Sequence, residues 1–240
     1  MKQRLDRLLV ERGLAESREK AQALIMAGEV LVNGQKALKP GHSVDAASKI
    51  AVTGKPPYVS RGGVKLAAAL DRFAIDVAGT ICLDIGSSTG GFTDCLLGRG
   101  AARVHAVDVG SAQLDWKLRN DPHVVVHEGI NARHLRFEDI GEPVDLATID
   151  VSFISVTLIL PAVAPLLRAN GRMVILVKPQ FEVGKGQVGK GGIVRQPELH
   201  QEVCARVDQA VTNLGFATDI MDSPILGAEG NKEFLLYARL

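Results

Sequence analysis

The chain has 240 residues, 46% hydrophobic and 23% charged, which is enough for one large core or a medium core with a small appended domain. Net charge is only +1, yet residues 1–62 carry 11 lysines and arginines against six acids, while the remainder carries 17 against 21. A basic segment of net +5 joined to a body of net −4 points to a polyanion-binding module attached to a catalytic body. Three cysteines (Cys82, Cys95, Cys204) without C-x-x-C spacing argue for a reducing cytoplasm and against a disulfide scaffold or zinc. The longest uncharged run, 151–167, contains Pro161 and Pro165 and falls short of a membrane span; it reads as a buried helix. Met1-Lys2-Gln3-Arg4 leads into an amphipathic helix rather than a signal-peptide core.

In chain order, Leu5, Leu8 and Leu9 fall at helical spacing, with Arg4, Arg7 and Arg12 on or beside the other face, and Gly13 ends that helix. Ser17 is placed to cap a second helix over 18–27 that Gly28 stops. A short strand over 29–32, a tight Asn33-Gly34 hairpin, a turn at Lys39-Pro40-Gly41 and a strand over 48–52 complete a small sheet. Two basic helices followed by G-E-V-L-V-N-G and a later strand resemble the small RNA-binding domain first seen in ribosomal small-subunit protein four, over residues 2–53. In that family the paired helices present cations to folded RNA. The matching candidates are Arg4, Arg7, Arg12, Arg18 and Lys20, whose alternative role is a solvated helix face.

Lys55-Pro56-Pro57-Tyr58 is a stiff, non-helical stretch, so the boundaries read as a domain over 1–54, a linker over 55–62 and a second domain over 63–240. Ser60-Arg61-Gly62-Gly63 leads into a helix over 64–73. Strands follow at 80–84, 103–108, 123–127, 144–150, 172–178, 216–221 and 233–238, with helices between most of them. The fold class is α/β: a doubly wound, mostly parallel sheet with helices on both faces, behind a small α+β domain. Ligands in such sheets bind beyond the carboxyl ends of the strands.

The most informative stretch is 81–92, I-C-L-D-I-G-S-S-T-G-G-F, an apolar strand running into a glycine loop and then a helix near Phe92. Its spacing, D-x-G-x-x-x-G-G, is not the dinucleotide fingerprint. A carboxylate at the loop entrance repels a pyrophosphate and welcomes an amine-bearing or cationic ligand. S-adenosylmethionine carries a sulfonium and an amino group and no phosphate, so the loop favours it. The alternative is a plain strand-to-helix turn. The cofactor candidates are Asp84, Gly86, Ser87, Ser88, Gly90, Gly91 and Phe92 in the loop, then Asp108 and Val109 for the ribose, Asn131 for the adenine edge, and Asp150.

Charges recur at the strand ends: Asp150 after D-L-A-T-I, Lys178 after M-V-I-L-V, and Glu233 before E-F-L-L-Y-A, a strand that reaches the same sheet edge if it runs antiparallel. Lys65 lies on the helix before the first strand. A structural salt bridge between Lys178 and Asp150 is one reading, and a reaction site is the other. Lys65, Asp150, Lys178 and Glu233 match the Lys-Asp-Lys-Glu tetrad of the FtsJ-like ribose 2′-O-methyltransferases. With S-R-G-G-V-K-L, A-V-D-V-G, V-K-P-Q-F-E and the N-terminal module, the chain resembles the TlyA family over nearly its whole length. The resemblance implies a Rossmann-like methyltransferase fold, S-adenosyl-L-methionine as cofactor, and methylation of ribosomal RNA or ribosomal subunits at a cytidine ribose 2′-hydroxyl in the cytoplasm. Lys178 is the chosen base and Lys65 the nearby cation, with Asp150 and Glu233 as orienting groups; the lysines' roles can be exchanged.

Further RNA candidates are Arg61, Lys185 and Lys190, the last two in a glycine-rich stretch over 184–192 that reads as a lid ordering on RNA or as a flexible loop. His123 and His127 lack a third ligand, so no metal is expected. Trp116, the only tryptophan, is expected to pack rather than stack on a base; Tyr58 is left open between packing and base stacking. Three other readings remain: a membrane-lytic protein, as the family's first label of haemolysin suggests, a non-catalytic RNA-binding or ribosome assembly factor, and a small-molecule methyltransferase. No spanning or amphipathic segment of sufficient length supports the first, the intact tetrad opposes the second, and the basic N-terminal segment is unexplained by the third.

Overall fold

The structure, a computed structural model, describes residues 2–54, 57–184, 186–227 and 230–240. The chain divides into two compact units, Met1–Pro56 and Pro57–Leu240.

The first unit runs β1 (Lys2–Arg4), α1 (Leu5–Glu11), α2 (Arg18–Met26), β2 (Val30–Val32), β3 (Gln35–Lys36), β4 (Ser43–Asp45) and β5 (Ile50–Val52). Ser17 caps α2 as expected, its hydroxyl accepting from the Lys20 amide at 3.2 Å. Asn33 and Gly34 take left-handed conformations (φ 51° and 83°), the pair a two-residue hairpin requires between β2 and β3. Strand β2 also pairs with β5, and β1 pairs with β4, a pairing that three polar residues give no pattern to foresee. The leucine spacing of α1 does its work here: Leu5, Leu8 and Leu9 bury against Ala21 and Ile25 of α2 and Val30 of β2.

The second unit continues with α3 (Gly62–Arg72), β6 (Ile81–Ile85), α4 (Gly91–Gly98), β7 (Arg103–Asp108), α5 (Trp116–Arg119), β8 (Val124–Glu128), α6 (Phe137–Ile140), β9 (Val144–Ile149), α7 (Leu160–Val163), β10 (Leu167–Val177), α8 (Pro179–Glu182), α9 (Pro197–Thr212), β11 (Ala217–Asp222) and β12 (Phe234–Arg239). Its sheet has the order β11-β12-β10-β9-β6-β7-β8, with β6 to β10 parallel and β12 antiparallel to both of its neighbours, β10 and β11. Alternate side chains serve two cores. Cys82, Leu146, Val174 and Leu235 pack toward α3 and α4, while Leu83, Ile149, Ile175 and Leu236 pack toward α7 and α9. Both faces are covered, which is why these strands read as nearly continuous apolar runs.

Two expectations change. Residues 151–167 are not one buried helix: Pro161 and Pro165 each begin a new turn, and the segment is a chain of short helical pieces around α7. Residues 58–62, expected in a linker, belong to the second unit, where Tyr58 packs on the α3 core and the Val59 amide donates to Asp94 at 2.8 Å. Lys55 and Pro56 of the predicted stiff stretch lie outside the described residues. Among the described residues no helix is long and apolar enough to cross a membrane.

Candidate active site

The sheet register gathers the charges. Ile85, Ile149 and Ile175 stand side by side on β6, β9 and β10, so these parallel strands end together. Antiparallel β12 pairs Phe234 with Val177, which brings Glu233, one residue before, to the sheet edge that Lys178, one residue after, occupies. Helix α3 carries Lys65 to the same place. Lys65 Nζ pairs with Glu233 Oε2, and Lys178 Nζ lies 2.5 Å from Asp150 Oδ1 and donates to Ser152 Oγ at 3.0 Å. All four residues, with Ser152, line one cleft of about 600 Å³. The Lys178–Asp150 bridge therefore exists, but it stands on a cleft beside a second lysine–carboxylate pair. Buried ion pairs contribute little net stability, so their position is the more informative fact.

A second cavity, about 460 Å³, adjoins the first and shares Gly86, Ser88, Asp150, Ser152 and Phe153 with it. Gly86 (φ 82°) passes so close to β9 that a Cβ there would stand 2.3 Å from the Asp150 carbonyl oxygen. Asp108, Val109 and Asn131 line this second cavity against the apolar walls of Ile130, Val151 and Ile159. The Asp108 carboxylate is fixed by the Ser88 amide (2.8 Å) and the Gly110 amide (2.7 Å). Asn131 turns its side-chain oxygen to the Arg133 amide at 3.1 Å. Ser87, Gly91 and Phe92 line the first cavity, whereas Gly90 lines neither.

Asp84 departs from expectation. It is fully buried below the loop, lines neither cavity, and accepts from Thr93 Oγ1 at 2.6 Å and Thr148 Oγ1 at 3.1 Å. Burial pushes its carboxyl up to about 7, against the pull of those two hydroxyls. It fastens α4 and β9 beneath the glycine loop. The carboxylates that face the cavity and disfavour a phosphate there are Asp108 and Asp150.

The site also includes residues that the sequence pattern does not mark. Ser152 follows Asp150 by two residues, and Gln180 and Phe181 follow Lys178 by two and three. Phe153, 91% exposed with φ 65°, sits where the two cavities meet, its ring 5.0 Å from that of Phe181. Glu182 accepts from Ser155 Oγ (2.6 Å) and the Val156 amide (2.7 Å), tying the loop after Asp150 to the helix after Lys178. Burial pushes its carboxyl up, and these hydrogen bonds pull it back. Asn231 donates to the Gly192 carbonyl (2.9 Å) and accepts from the Val194 amide (3.1 Å), so the end of the glycine-rich stretch is fastened beside Glu233. The signal for these residues was proximity to a tetrad member, within two to four positions.

The RNA candidates divide. Asp6, fully buried, accepts from Arg4 (2.8 Å), Arg18 (3.0 Å) and Gln22 (3.0 Å). The Arg4 hydrogen bonds hold its carboxyl well below the usual range, against the effect of burial. Arg12 donates to the Ser48 carbonyl at 2.8 Å and Lys20 pairs with Glu16 at 2.6 Å. Arg7 is exposed, and its guanidinium has no partner among the described residues. Arg61 is exposed at the cleft, Lys190 is exposed, and Lys185 lies outside the described residues. Trp116, expected to pack, is 77% exposed. His127 meets His105 at 3.0 Å and His105 meets Glu142 at 3.1 Å; among the described residues no group of three metal ligands forms.

Comparison with known proteins matches residues 58–240 to the FtsJ-like methyltransferase model and residues 3–50 to the S4 domain. The chain is 52% identical over 240 residues to the "Putative rRNA methyltransferase YqxC" of Bacillus subtilis, covering 98% of this chain and 85% of that one. It is 49% identical over 239 residues to the 16S/23S rRNA (cytidine-2′-O)-methyltransferase TlyA of Mycobacterium tuberculosis, covering 98% and 89%. A solved structure, "Putative hemolysin from Streptococcus thermophilus", superposes with a TM-score of 0.77 at 46% identity, covering 99% of this chain and 88% of that one.

Proposed function

The chain belongs to the FtsJ-like methyltransferase family, with an N-terminal S4 domain, and from that premise we propose that it methylates ribosomal RNA at the ribose 2′-hydroxyl of a cytidine, using S-adenosylmethionine. The observation that carries this reading is the convergence of Lys65, Asp150, Lys178 and Glu233 on a cleft continuous with the glycine-loop cavity. An RNA substrate puts the site of action in the cytoplasm.

The residues fit the cofactor. Asp108 would accept from a ribose diol, Asn131 would meet a base edge, and Ile130, Val151 and Ile159 would enclose an apolar ring, in a cavity whose lining sets two carboxylates, Asp108 and Asp150, against Arg133. When bound, S-adenosylmethionine supplies an electrophilic methyl group.

The chain's own task is to align a ribose hydroxyl and remove its proton. Lys178 Nζ has four directions. One holds its own carbon, one faces Asp150 and one faces Ser152, which leaves one for the substrate oxygen. As the ribose oxygen takes the methyl group in exchange for the methyl–sulfur bond, the hydroxyl proton would pass to the lone pair of Lys178 in its uncharged form, whose two N–H groups point to Asp150 and Ser152. Lys65, held by Glu233, is the cation beside the developing alkoxide. Acid–base assistance of this kind contributes about 10²–10⁴-fold in rate. The S4 unit supplies affinity through phosphate contacts, for which Arg7 and the half-exposed outer edges of Arg4 and Arg18 remain open.

The test is methyl transfer from labelled S-adenosylmethionine to separated ribosomal subunits, with the product mapped to base or ribose. Ribose labelling at a cytidine is the expected result. Label on a base, or none on either subunit despite cofactor binding, overturns the reading.

A further inference from the structure

We propose that Trp116 is a stacking platform for an unpaired RNA base next to the target nucleotide; the proposal rests on the RNA-methylating reading above and deepens it. A large apolar ring that remains 77% exposed calls for an occupant, since aromatic side chains ordinarily contribute by burial. The backbone beneath the ring is firmly held. Helix α5 is capped by Asp115, whose side chain accepts from the Lys117 amide at 2.9 Å, and the Asn120 side chain donates to the Trp116 carbonyl at 2.7 Å. Beneath it, Leu114 and Leu118 are buried so closely under the glycine loop that a Cβ on Gly90 would stand 2.3 Å from Leu118 Cδ1.

The helix that carries the ring is tied to the loop that lines the cleft. The Asp115 amide donates to the Thr89 carbonyl at 3.2 Å, and Thr89 lines the cavity that holds the lysine–carboxylate pairs. Lys117 Nζ lies 3.1 Å from Asp94, which in turn accepts from the Val59 amide, so α5 is tied to the segment that carries Arg61. The helix's cations are already engaged, Lys117 by Asp94 and Arg119 by Glu128. What α5 offers RNA is therefore an indole face rather than free charge. Sequence-tolerant stacking on such a face suits single-stranded RNA, and a ribose presented for attack leaves its neighbouring bases without their helical partners.

Because Trp116 is the only tryptophan in the chain, its fluorescence reports on this one position. The experiment titrates the full-length protein with a fluorescently labelled single-stranded cytidine-rich oligoribonucleotide, following anisotropy for binding and tryptophan emission for stacking, and repeats the emission titration with heparin, a polyanion without bases. Emission quenched about twofold or more at saturating RNA but not by heparin is expected, together with affinity weakened about fivefold or more in Trp116→Ala and recovered in Trp116→Phe. Unchanged emission at saturating RNA, or equal quenching by heparin, overturns the stacking role while leaving the methylation reading intact. Absence of RNA binding by anisotropy removes both.

Discussion

The two units use the same contact, a cation against a carboxylate, to different ends. In the S4 unit Asp6 gathers Arg4, Arg18 and Gln22 into the join between α1 and α2, and Arg12 and Lys20 are likewise engaged. These pairs join α1, α2 and the loop before β5, and they brace the fold. In the methyltransferase unit Lys65–Glu233 and Lys178–Asp150 face each other's neighbourhood across a cleft continuous with a second cavity. An ion pair does not declare its purpose. Open space beside it, a glycine loop that admits a ligand, and a second pair of the same kind separate machinery from brace.

The sharpest way to break that contrast is to treat the Lys65–Glu233 pair as if it were only a brace. Glu233→Ala leaves the Lys65 ammonium, 7% exposed, without its partner and should destabilise the second unit by about 3–5 kcal/mol. Replacing both, Lys65→Met with Glu233→Leu, should restore the melting temperature while methyl transfer stays at least about 100-fold down. Activity that returns with stability would demote the pair to structure.

Asp6 supplies the opposite case. Asp6→Ala should destabilise the S4 unit by about 2–3 kcal/mol, seen as an earlier unfolding transition, with cofactor binding unaltered. Because the folded carboxyl is held below its unfolded value, its contribution is complete above the ordinary carboxylate range and is lost as pH falls below about 4. Asp6→Asn should therefore flatten the acid limb of that transition; an unchanged limb would remove the lock.

A smaller effect is expected at Ser152, which touches Lys178 without itself being charged. Ser152→Ala should lower kcat about tenfold, shift the pH profile of kcat, and leave cofactor affinity alone, with Ser152→Thr recovering most of the rate. Equal loss in both variants would indicate packing. The smallest effect separates two arginines: Arg7→Ala should reduce the salt dependence of RNA binding by about one unit of slope at constant melting temperature, whereas Arg18→Ala should lower the melting temperature. Identical behaviour of the two would erase the distinction between free and bracing cations.

Much of this architecture is legible before folding. Parallel strands buried on both faces read as L-A-T-I and M-V-I-L-V, and the charge that ends each run marks the sheet edge where the cleft forms, so Asp150 and Lys178 stand out by pattern. Other features are decided by tertiary neighbours. Asp84 has the position of a ligand contact, but Thr93 and Thr148, 9 and 64 residues away, draw it under the loop. Asp6 looks like an ordinary acid in a helix's first turn until α2 folds against it. The run 151–167 has the length and apolarity of a helix, but its prolines restart the chain twice. Trp116 has a sequence context that says nothing of exposure, because Leu114 and Leu118 fill the core position that the indole vacates.

The most direct test of the claim that the cleft's charges are machinery uses one preparation of Lys178→Ala for two readings, calorimetric binding of S-adenosylmethionine and single-turnover methyl transfer to ribosomal subunits. Cofactor affinity equal to wild type, with transfer reduced by about 10²–10⁴-fold, is the predicted result. Transfer at the wild-type rate would contradict the account.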